Sequence, residues 1–137
     1  MRALTVSSIL LALLVSGCGP RVPQNVEDLQ EFSLAYIHYI EEHNTPPAKW
    51  DDLTREDGID PATVERLRSS ETVVNWGSTF RDATSGTALY ILAYPTNALD
   101  SGGQVLMLDG AVYHMAADEL KARLDSQPAR QANGNQR

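Results

Sequence analysis

Apolar residues recur along the chain at two different periods, and the change of period divides it into elements. Val26, Leu29, Phe32, Ser33, Tyr36, Ile37 and Ile40 follow one another at steps of three and four, the signature of one apolar face on a helix. Asn25 is the expected N-cap, with Glu27 and Asp28 in the first turn where the helix dipole favours anions. The helix is expected to end near His43-Asn44, and Pro46-Pro47 forbids its continuation. Residues 47–53 read as a loop that packs Trp50 and Leu53 back onto the domain. Asp60-Pro61 is a second start signal, a cap followed by proline at the first helical position, for a short helix to about Arg68 with Val64 and Leu67 inward.

Beyond that point the period shortens. Residues 72–76 and 88–94 are rich in β-branched, aromatic and aliphatic side chains and predict strands, with a polar connection between them over 77–86. Strand alternation over 88–94 places Tyr90, Leu92 and Tyr94 on one face; left uncovered, that face would make Tyr90 and Tyr94 an interface for a partner. Residues 104–108 and 111–115 flank Asp109-Gly110, a hairpin signal. As a two-residue type I′ loop, this structural turn would set Leu108 opposite Ala111 and Leu106 opposite Tyr113. Both faces of the hairpin are largely apolar, so both are expected to be covered. A last short helix is expected over 116–124. The order of elements is α+β: an N-terminal amphipathic helix on a small antiparallel sheet of three to four strands, with a short C-terminal helix.

The first residues change this picture more than composition does. Met1-Arg2 is followed by an apolar run over 3–15, too short to span a bilayer, and then by small residues. That is the pattern of a secretory signal peptide. The single cysteine of the chain stands directly after it, in Val15-Ser16-Gly17-Cys18. This segment resembles the lipobox of bacterial lipoproteins. The resemblance implies cleavage between Gly17 and Cys18, lipidation of Cys18, and a membrane partner reached through the acyl chains. Gly19 after the cysteine slightly favours the outer over the inner membrane. The division expected is a signal peptide over 1–17, a lipid-anchored tether over 18–25, a domain over 26–125 and a disordered tail over 126–137.

Eleven Lys/Arg against eighteen Asp/Glu, a formal charge of −7, exclude the basic surface that nucleic-acid binding requires. Losing residues 1–17 removes Arg2 and no acid, so the mature chain is more acidic still. An acidic surface gives no electrostatic help on anionic lipid. Attachment would rest on the acyl chains.

Two segments carry a second resemblance. One is the helix with Tyr36 running into His43-Asn44-Thr45-Pro46-Pro47-Ala48-Lys49-Trp50-Asp51-Asp52-Leu53. The other is Gly102-Gly103-Gln104-Val105-Leu106-Met107-Leu108-Asp109-Gly110-Ala111-Val112. Together they look like the globular part of type II secretion pseudopilins. This implies a fold rather than filament assembly, because the long apolar N-terminal helix of pilin-like proteins is lacking from the mature chain. It also leaves a link to a type II secretion-like system as an expectation.

Candidate chemistry is sparse. His38 and His43 are five apart, roughly 140° around a helix, and cannot share a metal. His114 reads as a strand-end side chain. The acids of residues 51–60 lack the alternating spacing of a calcium loop before Gly58. A looser calcium site at Asp100 is the alternative, as some pseudopilins bind calcium nearby. Ser78 has no base partner in the sequence, and turn geometry accounts for Asp109. No catalytic residue, metal site or cofactor is implied. The expectation is a lipid-anchored, non-enzymatic protein of the bacterial cell envelope, its domain facing the periplasm and contacting an envelope protein. The alternative is a small calcium- or ligand-binding periplasmic domain.

Overall fold

A computed structural model describes residues 22–54, 58–83 and 86–127. Helix α1, Gln24–His43, is one residue pair longer at its start than the apolar period indicates. The carbonyl of Pro23 accepts the first helical bonds, from Val26 N at 2.9 Å and Glu27 N at 3.2 Å. Pro23 is thus the cap, and Asn25 lies inside the first turn. Gln24 and Asn25 therefore belong to the helix and not to a tether. At the other end Asn44 adopts φ 54° and returns its N–H to Ile40 O, closing the helix before Pro46.

Residues 50–53 form a single turn, α2 (Trp50–Leu53), rather than a plain loop; Asp52 Oδ2 accepts from Ala48 N at 2.9 Å. Helix α3, Pro61–Ser69, starts as its sequence signal requires, with Asp60 Oδ1 accepting from Ala62 N at 2.8 Å. Val64 and Leu67 point inward.

Four strands follow, β1 (Thr72–Val74), β2 (Ile91–Pro95), β3 (Gly103–Met107) and β4 (Val112–Met115), paired antiparallel in sequence order. Strand β1 is shorter than expected because the chain turns away at Trp76-Gly77, Gly77 having φ 74° and donating to Pro47 O at 3.0 Å. Strand β2 starts three residues later than expected: residues 87–89 close a 3-10 turn in which Tyr90 N donates to Thr87 O. Between β2 and β3 sits the single turn of helix α4, Ala98–Ser101, and the last described element is α5, Ala117–Ser126.

The hairpin has a different register from that of a two-residue loop. Val105 pairs with Tyr113 and Leu106 with Val112. Met107 N donates to Ala111 O at 2.8 Å, and Met107 O accepts from Gly110 N at 3.0 Å. The loop is therefore Leu108-Asp109-Gly110, a turn closed by a bulge at a glycine with φ 88°. This arrangement needs a positive φ at Gly110 alone, whereas type I′ needs two. Asp109 still serves the turn, its Oδ1 accepting from Ala111 N at 3.0 Å.

The sheet is buried on both faces over β2 and β3, whereas the edge strand β4 leaves Tyr113 and His114 exposed, so the hairpin is not covered along its outer strand as its apolar pattern predicts. On one, Leu29, Phe32 and Tyr36 of α1, with Leu53, Val64 and Leu67, cover Leu92, Leu106 and Leu108. On the other, Ala98 of α4 and Leu120 of α5 cover Ile91, Val105, Met107 and Met115. The fold is α+β, with the N-terminal helix on a four-stranded antiparallel sheet and a short helix at the C-terminal end of the described chain.

Candidate functional site

Gly17 and Cys18 lie outside the described residues, as do Glu56 and Asp57 of the acidic stretch. Tyr90 and Tyr94 do not form an exposed patch. Both are buried, at 5% and 8% exposure, and they lie on opposite faces of the sheet. The cause is a bulge in β2: Ile91 pairs with Met107 but Ala93 with Leu106, so Leu92 and Ala93 turn to the same side. Alternation is reset and the two tyrosines part. Burial pushes the Tyr94 phenol above its ordinary value. Among the described residues, the large apolar side chains that do reach solvent are Val22, Leu34 on α1, Phe80, Leu89 and Tyr113 on β4.

The start of α1, the part of the described domain nearest Cys18 along the chain, is fastened to α3 by a polar network. Arg66 Nε and Nη2 bind the Asp28 carboxylate at 2.8–3.1 Å, and Gln24 Nε2 donates to the same group at 2.9 Å. Arg66 also reaches Thr63 Oγ1 at 2.8 Å. Thr63, fully enclosed, donates to Glu31 Oε2 at 2.6 Å, while Glu31 Oε1 accepts from Asp60 N at 2.9 Å. The Arg66 hydrogen bonds hold the Asp28 carboxyl below the usual carboxylate range, against the opposing effect of its burial. The Asp28 hydrogen bonds in turn raise Arg66. A forked guanidinium on a buried carboxylate fixes orientation as well as distance, so the two helices cannot slide past each other without unpairing Asp28.

Further along α1, Phe32 and Tyr36 meet Trp50 and Trp76, with the two indoles edge to face at 5.2 Å and Phe32 5.3 Å from Trp50. Tyr36 is buried to its hydroxyl, which donates to Ser78 O at 3.0 Å. Ser78 is itself fully enclosed; its Oγ donates to Asn75 O at 2.6 Å and lies 3.4 Å from the Tyr90 hydroxyl. These contacts spend the Ser78 hydroxyl on holding the 75–78 segment against the helix. In the sequence Ser78 offered only its lack of a base partner. Its role as an anchor for Tyr36 depends on a contact across forty-two residues, which no local pattern signals.

The remaining polar residues are dispersed. His38 pairs with Glu42 at 3.3 Å on the exposed side of α1, and His43 stacks on Tyr39 at 4.1 Å. Asp51 faces Lys49 at 3.8 Å, and Asp100 lies exposed on α4. Among the described residues, no three His, Cys, Asp or Glu side chains come together as a metal set. No described helix is long and apolar enough to cross a membrane. Compared with protein-family models, with curated proteins and with solved structures, the chain matches none.

Proposed function

We propose that the protein is a lipid-anchored component of the bacterial cell envelope that acts through non-catalytic protein contact. The observation that carries this reading is Val15-Ser16-Gly17-Cys18 at the end of a short apolar run with a basic start. Six peptide steps separate Cys18 from Gln24, the first residue of α1, a span of at most about 20 Å. Acyl chains on Cys18 would therefore keep the domain close to the bilayer, where a weak contact gains from high effective concentration. The contact residues are drawn from exposed apolar positions such as Leu34, Phe80, Leu89 and Tyr113, and not from Tyr90 and Tyr94. A link to a type II secretion-like system rests on the pseudopilin resemblance; a helix laid on an antiparallel meander is in keeping with it.

Growth of producing cells with an alkyne fatty acid tests the anchor. The full chain is expected to carry the label and to sediment with membranes, and Cys18→Ala to do neither. An unlabelled wild-type protein overturns the reading. Crosslinking in the same cells then addresses the partner. Secretion subunits captured only with the lipidated form support the link, and an unrelated envelope partner removes it while leaving the anchor in place.

A further inference from the structure

Ile91 is fully enclosed, yet its backbone faces a gap in the sheet. Tyr90 O accepts from Leu108 N at 2.8 Å, so the groups of Tyr90 point toward β3 and those of Ile91 point the other way, to the β1 side. Leu92, the extra residue of the bulge, is already paired there, its O accepting from Asn75 N at 2.8 Å. Beyond Asn75 the chain has turned off into the 76–78 segment and supplies no strand backbone opposite Ile91. Two side-chain amides occupy the gap. Asn75 Nδ2 donates to Ile91 O at 2.7 Å. Gln127 Oε1 accepts from Ile91 N at 2.5 Å, with its Nε2 3.4 Å from Ile91 O.

Gln127 directly follows α5 and caps it, donating its own N–H to Arg123 O and Leu124 O. One side chain thus joins the end of a surface helix to a buried strand thirty-six residues earlier. Among the described residues Gln127 Oε1 is the acceptor for Ile91 N, and a buried N–H left unpaired is strongly disfavoured.

We propose that Gln127 is a conformational latch: the last turn of α5 and the bulge of β2 open and close together as one unit, below the threshold of global unfolding. Whatever displaces the chain at Gln127 thereby reaches the interior of the sheet at Ile91. The half of α5 around the fully buried Leu120 stays in place and serves as the hinge end.

Native-state hydrogen exchange on the full chain, followed residue by residue over low urea concentrations, tests this. The Ile91 and Gln127 amides are expected to exchange through a shared opening, with the same weak urea dependence, while Val105 and Leu106 wait for global unfolding. In Gln127→Ala the Ile91 amide should exchange about ten- to a hundredfold faster, the range set by the cost of an unpaired buried amide. Asn75→Ala, which removes the nearer donor to Ile91 O and leaves Ile91 N paired, should leave the exchange rate of the Ile91 amide relative to that of Val105 unchanged. Two results overturn the latch: an Ile91 rate unchanged in Gln127→Ala, or a rise shared equally by Ile91, Val105 and Leu106.

Discussion

Replacing Gly110 with alanine separates two costs that the hairpin turn imposes on one residue. The backbone there has φ 88°, and an added Cβ would stand 2.9 Å from Ser33 Oγ and 3.9 Å from Ser33 Cβ on α1. A left-handed conformation costs an L-residue about 1–2 kcal/mol. The contact adds to this, because Ser33 is buried and has little room to retreat. We expect Gly110→Ala to lose about 2–3 kcal/mol in all. Among the described residues Ser33 Oγ has no hydrogen-bond partner, so Ser33→Ala should be close to neutral on its own. In the Ser33→Ala background the loss from Gly110→Ala should fall by about 1 kcal/mol, leaving the backbone part. Urea unfolding followed by tryptophan fluorescence suits the measurement, since Trp50 and Trp76 pack on Phe32 in the core beside α1. The midpoint should move at constant slope. A Gly110→Ala midpoint equal to wild type would refute the turn geometry. A loss identical in both backgrounds would refute the contact with Ser33 and leave the dihedral strain alone.

Two further substitutions probe the α1 attachments, beside the Cys18 and Gln127 variants described above. The Asp28 carboxyl is held below its unfolded value, so its contribution is full above the ordinary carboxylate range and is lost as pH falls through the depressed folded value. The stability gap between wild type and Asp28→Asn should therefore narrow as pH is lowered from 7 through the acid range; a gap constant with pH would contradict the pairing with Arg66. Tyr36→Phe removes the donor to Ser78 O and should cost about 1–2 kcal/mol in the same urea assay, and no change would mean the buried hydroxyl contributes nothing net.

The elements that could be read from sequence are those marked by local chemistry. Pro46 after an apolar period ends α1, and Asp60-Pro61 starts α3. The Asp-Gly pair locates the hairpin but not its register, because the same dipeptide fits a two-residue loop and a three-residue loop with a glycine bulge. The single positive φ at Gly110 decides between them. The bulge of β2 has no such mark: Ile91, Leu92 and Ala93 read as unbroken strand, and the shift appears only in their pairing with β3. That one extra residue separates Tyr90 from Tyr94. Gln127 falls in a segment whose composition reads as tail. Its hold on Ile91 comes from where α5 delivers it, which depends on Leu120 and Leu124 packing on the sheet. Of the proposed anchoring chemistry, only the sequence speaks, since Cys18 lies outside the described residues.

The two layers on the sheet differ in how far along the chain their partners lie, and this orders the folding of the molecule. The α4/α5 side draws its main contacts from residues 91–124, a short contiguous stretch closed by a tight hairpin. The α1 side must bring Leu29, Phe32 and Tyr36 to Leu106 and Leu108, across seventy residues or more. Loop closure favours the first set of contacts as nucleus, with α1 docking afterwards. Export of the kind proposed above, N-terminus first through a membrane, would present these steps in the opposite order. Helix α1 would emerge before any strand that can cover it, and its apolar face would wait until residues 103–112 had followed. During that interval Phe32 and Tyr36 would be the surface most in need of shielding, by a chaperone or by proximity to the bilayer.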